Sequence, residues 1–222
     1  MKPLLSESED QDLLRTLGRA SVQIVHDLKN QLNGLKLYAT FLKKRLEKNE
    51  RPAEELETIN KILEGLDRSA RDASLIADYG RPIQLKKQAG VDLEKIVRQS
   101  ATGLASDITV NASSSAGFVG EFDPVLLAES LKSVSSGAQQ IISAKVGDAL
   151  LEIDLKDESA EGGRFGVIEW KIPDSSEHDP FRSFAGSNEI RLALAAKVIE
   201  AHGGSAKRKQ DALCVRLPLD SR

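Results

Sequence analysis

The sequence predicts an antiparallel helical hairpin followed by an α/β sandwich, and three observations carry that prediction. Apolar residues recur at alternating spacings of three and four from about residue 10 to about residue 79. Glycine and proline then interrupt the pattern in "DYGRPIQLKKQAG", residues 78–90. Beyond them, short runs of alternating polarity interleave with segments of helical spacing. The predicted organisation is a hairpin over 1–79, a linker over 80–90 and an α/β domain over 91–222.

In the first helix, Val25, Leu28, Leu32, Leu35, Ala39, Leu42 and Leu46 form one seam. Leu56, Ile59, Leu63, Leu66, Ala70, Ala73 and Ala77 repeat the pattern in the second. Such seams belong to helices packed at a shallow angle. The break is "KNERPAEE", where Pro52 suits a first helical turn and Glu54 and Glu55 sit near its positive end. Leu14, Leu17, Ile24, Leu37 and Ile62 lie off the seam, so a lone hairpin leaves apolar surface bare. A symmetric dimer forming a four-helix bundle covers it most economically, the alternative being a monomer that uses its own C-terminal half.

In the second half, "VDLEKIVRQSATGL" reads as a short helix and "ITVNAS" and "GFVGEF" as strands. "DPVLLAESLKSVSSGAQQIISA" has helical spacing, with Asp123 as N-cap and Pro124 at the first position. "ALLEIDLKD" and "RFGVIEWKI" alternate as paired strands. "NEIRLALAAKVIEAHGG" is a helix ending at Gly203-Gly204, and "SAKRKQ" with "ALCVRLPL" closes the chain as a hairpin. Strands and helices mixed in this order indicate one sandwich domain.

Composition narrows the function. The 222 residues are 40% hydrophobic and 29% charged, ordinary for a globular protein. A net charge of −3 offers no broad basic field to nucleic acid or to a membrane surface. Aromatics at 4% are too sparse for base-stacking platforms. No apolar run approaches the ~18 residues of a membrane span, and "MKPLLSESEDQD" lacks the apolar stretch of a signal peptide. The lone Cys214 excludes an internal disulfide and a cysteine metal cluster. A cytoplasmic protein is expected.

One stretch carries reactive chemistry. "SVQIVHDLKNQLNG" sets His26 beside Asp27, Lys29 and Asn30 inside the first seam. His26 follows Val25 by about 100° of helix rotation, which puts it at the edge of the bundle, facing solvent. A helical hairpin bearing His26-Asp27-Leu28-Lys29-Asn30, followed by this α/β pattern, resembles the core of bacterial sensor histidine kinases. The resemblance runs from about residue 10 to about residue 219. The tail "LALAAKVIEAHGGSAKRK…ALCVRLPL" is similar to the last helix and hairpin of that family's ATP-binding domain.

The resemblance breaks at the nucleotide. Family members hold magnesium with asparagines on one helix; here those positions are Ser133 and Gly137, which supply no amide oxygen for a hard cation. The family's Asp-x-Gly-x-Gly turn keeps its acid as Asp174, but Ser176 and His178 replace both glycines. The glycine-rich lid becomes "AGSNEIRLALAA", with Asn188, Glu189 and Arg191 where small residues let backbone N–H groups approach phosphate. Every loss concerns nucleotide binding and the histidine helix is intact. The chain therefore resembles the kinase-derived histidine phosphotransferases, which relay phosphoryl groups between receiver domains and use no ATP.

The resemblance implies His26 as phosphoryl acceptor, with Asp27 orienting its ring or taking its proton. Asn30, one turn on, shares the face of His26, and in the family this position often aims water at a phosphorylated receiver, so receiver phosphatase activity is implied as well. Lys29 and Lys36 would offset phosphoryl charge or meet the receiver's acidic pocket, and Leu37, Tyr38 and Phe41 would form the apolar patch below the histidine. No cofactor is expected on this chain, since the magnesium would come with the receiver domain.

Other conspicuous residues have plainer readings. His202 closes a helix C-terminus, a favourable place for a cation. His178 is solvated, Asp174 forms a turn and Cys214 is core. Two rival functions share the architecture: a divergent but active histidine kinase, and a non-catalytic dimeric scaffold that only binds a kinase or a response regulator.

Overall fold

Two long helices open the chain, α1 (Glu7–Lys48) and α2 (Ala53–Gly80). The structure, a computed structural model, describes residues 7–48, 53–102, 108–114, 117–147, 150–160, 163–173 and 178–220, with side chains in α1 from residue 21 to residue 47. Pro52, Asp174 and Ser176, and the side chains of Leu14 and Leu17, lie outside the described residues. The chain divides into two compact units, Met1–Pro82 and Ile83–Arg222.

The first unit is an antiparallel hairpin. Lys36 Nζ on α1 pairs with Asp67 Oδ1 on α2 at 2.5 Å, and Glu54 and Glu55 occupy the first turn of α2 as the helix dipole favours. Its tightest packing uses Ala39 of α1 with Ile59, Ala73 and Ala77 of α2, all buried. The seam of α1 is covered only in part. Val25, Leu32, Ala39 and Leu46, seven residues apart, are buried or half-buried, whereas Leu28, Leu35 and Leu42 are exposed. The reason is geometric. Alternating steps of three and four make two rows about 60° apart on a helix, and the partner helix covers the row of Val25, Leu32, Ala39 and Leu46. Ile24, Ile62 and Ile76 are exposed as well.

The second unit is an α/β sandwich. β1 (Gln88–Asp92) pairs antiparallel with β3 (Val119–Phe122) as a two-stranded ribbon. Residues 88–90, expected as linker, are therefore part of the fold. The main sheet runs β2 (Ile108–Ser113), β4 (Leu151–Ala160), β5 (Gly163–Lys171), β7 (Ala212–Leu219), β6 (Ser205–Lys209). Only β2 and β4 are parallel; the other neighbours are antiparallel. α3 (Leu93–Ala101), α4 (Pro124–Val146) and α5 (Ser187–Ala201) share one core with the sheet, and a single turn of 3-10 helix (Pro180–Arg182) precedes α5.

Period-2 polarity builds that core. Leu151, Ile153 and Leu155 of β4 are wholly buried, as are Ile168 and Trp170 of β5, and they meet Leu127, Leu131 and Val134 of α4. Trp170 satisfies its buried indole N–H by donating to Ser135 Oγ at 2.8 Å. Asp123 caps α4, accepting from the N–H groups of Val125 and Leu126, while its other carboxylate oxygen accepts from Lys86 N–H at 2.8 Å. At the end of α5, Gly203 takes a φ of +82°, and Gly204 lies so close to the Arg216 carbonyl that a Cβ there would collide with it.

Candidate functional site: the histidine face of the first helix

His26 sits mid-helix in α1 with its side chain 53% exposed. Its contacts among the described residues are all made through one ring nitrogen. Asp27 Oδ1 lies 3.6 Å from Nδ1, and Asn30 Nδ2 lies 3.4 Å from the same atom, one turn on. No contact to Nε2 occurs among the described residues, so that nitrogen is left to solvent. Asp27 is itself held: its Oδ1 accepts a hydrogen bond from Gln23 Nε2 at 3.0 Å. Gln23 escaped the sequence reading, although its position four residues before Asp27 was signal enough.

The partner-facing residues divide. Leu37 and Phe41 follow His26 by 11 and 15 residues, which turns them only about 20° and 60° from it and places them about 16 and 22 Å along the helix. Both are more than half exposed. Tyr38, 72% exposed, falls about 120° away and belongs to another side of the helix. Lys29 is half-buried. Lys36 is engaged with Asp67 across the hairpin, so its charge is already partly answered.

In the second unit, α4 carries Ser133 and Gly137, and α5 carries Asn188, Glu189 and Arg191. Ser133 turns its hydroxyl onto its own helix, donating to the Glu129 carbonyl at 3.0 Å. Gly137 is buried, and a Cβ built on it would meet Leu192 Cδ2 at 2.9 Å. Leu192 of α5 thus occupies the space into which a side chain at 137 would project. Glu189 is folded back into its own turn: it accepts from the Ser183 hydroxyl and from Ala185 N–H at 3.2 Å, and lies 3.7 Å from His178 Nε2. Two shallow cavities remain here, of about 300 Å³ beside Ser133, Gly137, Asn188 and Arg191 and about 340 Å³ beside His178, Glu189 and Leu192. No group of three or more His, Cys, Asp or Glu placed to hold a metal occurs among the described residues.

His202 corrects its sequence reading. It closes α5 as its C-cap, as expected, but not as a cation: it is 1% exposed, donates from Nδ1 to the Val198 carbonyl at 2.8 Å and accepts the Asp123 N–H at Nε2, 3.0 Å away. That pattern requires the neutral ring, and burial pushes its pKa below the ordinary value. Cys214 is buried as expected, and burial pushes its thiol pKa up, which keeps it inert.

No known family model matches the chain, and no curated protein matches it. Solved structures do. The chain is similar to full-length ShkA in complex with AMPPNP, with a TM-score of 0.64 and 18% identity over 92% of this chain. It spans 46% of that protein's length. It is also similar to the histidine kinase AdeS of Acinetobacter baumannii, with a TM-score of 0.54 and 14% identity over 88% of this chain and 98% of that one. The fold is that of a histidine kinase core. Within that fold, α1 and α2 take the place of the kinase's helical hairpin and the second unit that of its ATP-binding domain. No helix among the described residues is long and apolar enough to cross a membrane.

Proposed function

We propose that this chain is a histidine phosphotransferase of two-component signalling. His26 accepts a phosphoryl group from one receiver-domain aspartate and passes it to another, without ATP. One contrast carries the reading: the histidine face has an acid beside Nδ1 and no protein partner on Nε2 among the described residues, whereas Leu192 lies against Gly137 where a metal-binding side chain would project.

The chemistry follows from the side chains. Nε2 attacks in line, and the ring must then carry positive charge, which Asp27 meets at Nδ1. The phosphorus arrives already activated as a mixed anhydride with the receiver's carboxylate, and the receiver's own magnesium screens its oxygens. Nothing in the relay asks this chain for a metal or a nucleotide. Leu37 and Phe41, exposed on the side of His26, suit an apolar receiver helix, and Lys29 suits the acidic rim around a receiver aspartate. Asn30 is placed to orient water, which would add receiver phosphatase activity.

The proposal includes a homodimer. Ile24, Leu28, Leu35 and Leu42 run down α1 as an apolar stripe, continued by Ile62 and Ile76 on α2, and every one is more than a third exposed. A second hairpin packed on this stripe completes a four-helix bundle. A cytoplasmic location goes with receiver partners.

The test is a labelling experiment. The protein is incubated with a phosphorylated receiver, and separately with Mg-ATP, and acid-labile phosphate is sought in wild type and in His26→Ala. Label from the receiver alone, abolished by His26→Ala, is expected. Label from ATP would establish a divergent kinase instead. No label from either, with receiver binding retained in His26→Ala, would establish a scaffold.

A further inference from the structure

Gln23, His26, Asp27 and Asn30 stand at i, i+3, i+4 and i+7 on α1, a spacing that lines them along one side of the helix. Their contacts converge on two atoms. Asp27 Oδ1 is 3.6 Å from His26 Nδ1 and accepts from Gln23 Nε2 at 3.0 Å. Asn30 Nδ2 reaches the same Nδ1 at 3.4 Å.

A neutral imidazole has one proton to place. With the proton on Nδ1, the ring turns an N–H dipole toward the Asp27 carboxylate, 3.6 Å away and in electrostatic contact with it, and Nε2 keeps its lone pair. With Nδ1 bare, the ring accepts from Asn30, and the proton on Nε2 blocks attack. Asp27 and Asn30 are thus rivals for one atom, and only one of the two contacts leaves the reacting nitrogen free. Asp27 is 60% exposed, so an unrestrained carboxylate turns toward water and yields Nδ1 to Asn30. Gln23 supplies the restraint.

We infer that Gln23 is a positioning residue: by holding Asp27 Oδ1 beside Nδ1, it selects the imidazole tautomer whose free Nε2 takes the phosphoryl group. The inference rests on the phosphotransferase reading above. In the step it serves, the bond from phosphorus to the receiver's aspartyl oxygen breaks as the bond from phosphorus to Nε2 forms. The aspartate leaves as carboxylate, and the proton stays on Nδ1, facing Asp27. Transfer to the next receiver reverses these changes.

An exposed Gln–Asp pair at this spacing shifts an equilibrium by about two-fold. Gln23→Ala is therefore expected to move the His26 tautomers about two-fold toward Nε2–H and to slow phosphoryl acceptance by a similar factor. The isosteric Gln23→Glu, which has no N–H to give, should act in the same direction, and Asn30→Ala should act in the opposite one. The measurement is the pair of ring ¹⁵N chemical shifts of His26 in the full chain, recorded where the ring is neutral, alongside the transfer rate from a phosphorylated receiver. A general loss of structure moves many resonances but does not exchange these two in opposite senses for Gln23→Ala and Asn30→Ala. Labelled wild type whose ring shifts and rate are unmoved by Gln23→Ala overturns the role of Gln23 alone. Wild type that the receiver leaves unlabelled overturns the phosphotransferase reading beneath it.

Discussion

Replacing His202 by alanine tests a buried polar link between two helices of the second unit. Its ring ties the last turn of α5 to the first turn of α4, through Val198 on one side and Asp123 N–H on the other, and packs against Phe122 at 6.1 Å between ring centroids. Removing it strands a buried N–H, which costs about 1–3 kcal/mol, and removes an aromatic contact worth about 1 kcal/mol. The expected loss at pH 7.5 is therefore about 2–4 kcal/mol, a fall in Tm of roughly 5–15 °C.

The pH dependence sharpens this test. Because burial holds the folded-state pKa of His202 below its ordinary 6.5, the unfolded chain binds more protons between the two values, and stability rises with pH there. The contribution is complete above the ordinary value and is lost as the pH falls through the folded-state value, where the protonated ring has no lone pair for Asp123 N–H. Asp123, which faces the ring, has its pKa lowered: burial raises it, but the N–H donors of Lys86, Leu126 and Val125 outweigh that. It therefore titrates at more acid pH. Lys87 is the other charge that faces the ring. Urea unfolding followed by the single tryptophan, Trp170, which lies in this unit, is the assay. The gap between wild type and His202→Ala should narrow from pH 7.5 to pH 5. A gap that does not change, or a variant within about 0.5 kcal/mol of wild type at pH 7.5, refutes the reasoning.

Leu28→Asp combined with Leu35→Asp should turn a dimer into a monomer by sedimentation, since both side chains face outward from the hairpin; an unchanged sedimentation coefficient places the interface elsewhere. Gly137→Asn restores the amide but forces Leu192 aside, so it should cost about 1–3 kcal/mol and give no labelling of His26 by ATP, which radiolabelling checks. Gly204→Ala, which drives a Cβ into the Arg216 carbonyl, should lose upwards of about 2 kcal/mol in chemical denaturation. Lys36→Ala breaks an exposed pair with Asp67, so it should cost under about 1 kcal/mol of stability; a much larger fall in phosphotransfer rate would assign Lys36 to receiver binding.

Local signals were enough for most of the architecture. Polarity of period 2 placed β4 and β5, Asp123-Pro124 marked the start of α4, and the run to Gly203-Gly204 marked the end of α5. β1 was missed because its strand character comes from pairing with β3, a partner distant in sequence, and not from its own residues "QAGVD". The histidine face was legible because i, i+3 and i+4 neighbours on a helix meet whatever the rest of the chain does.

What the sequence determined alone is thus whatever depends on near neighbours: helix and strand periods, caps, and the company of His26. Tertiary structure decided what depends on distant ones. It buried His202 and bound it neutral to Asp123, it set Leu192 against Gly137, and it left Leu28, Leu35 and Leu42 bare while covering Ala39. The physical reason is that backbone geometry brings residues three or four apart together by itself, whereas burial is a property of a surface, and a surface is covered only when another element arrives to pack on it.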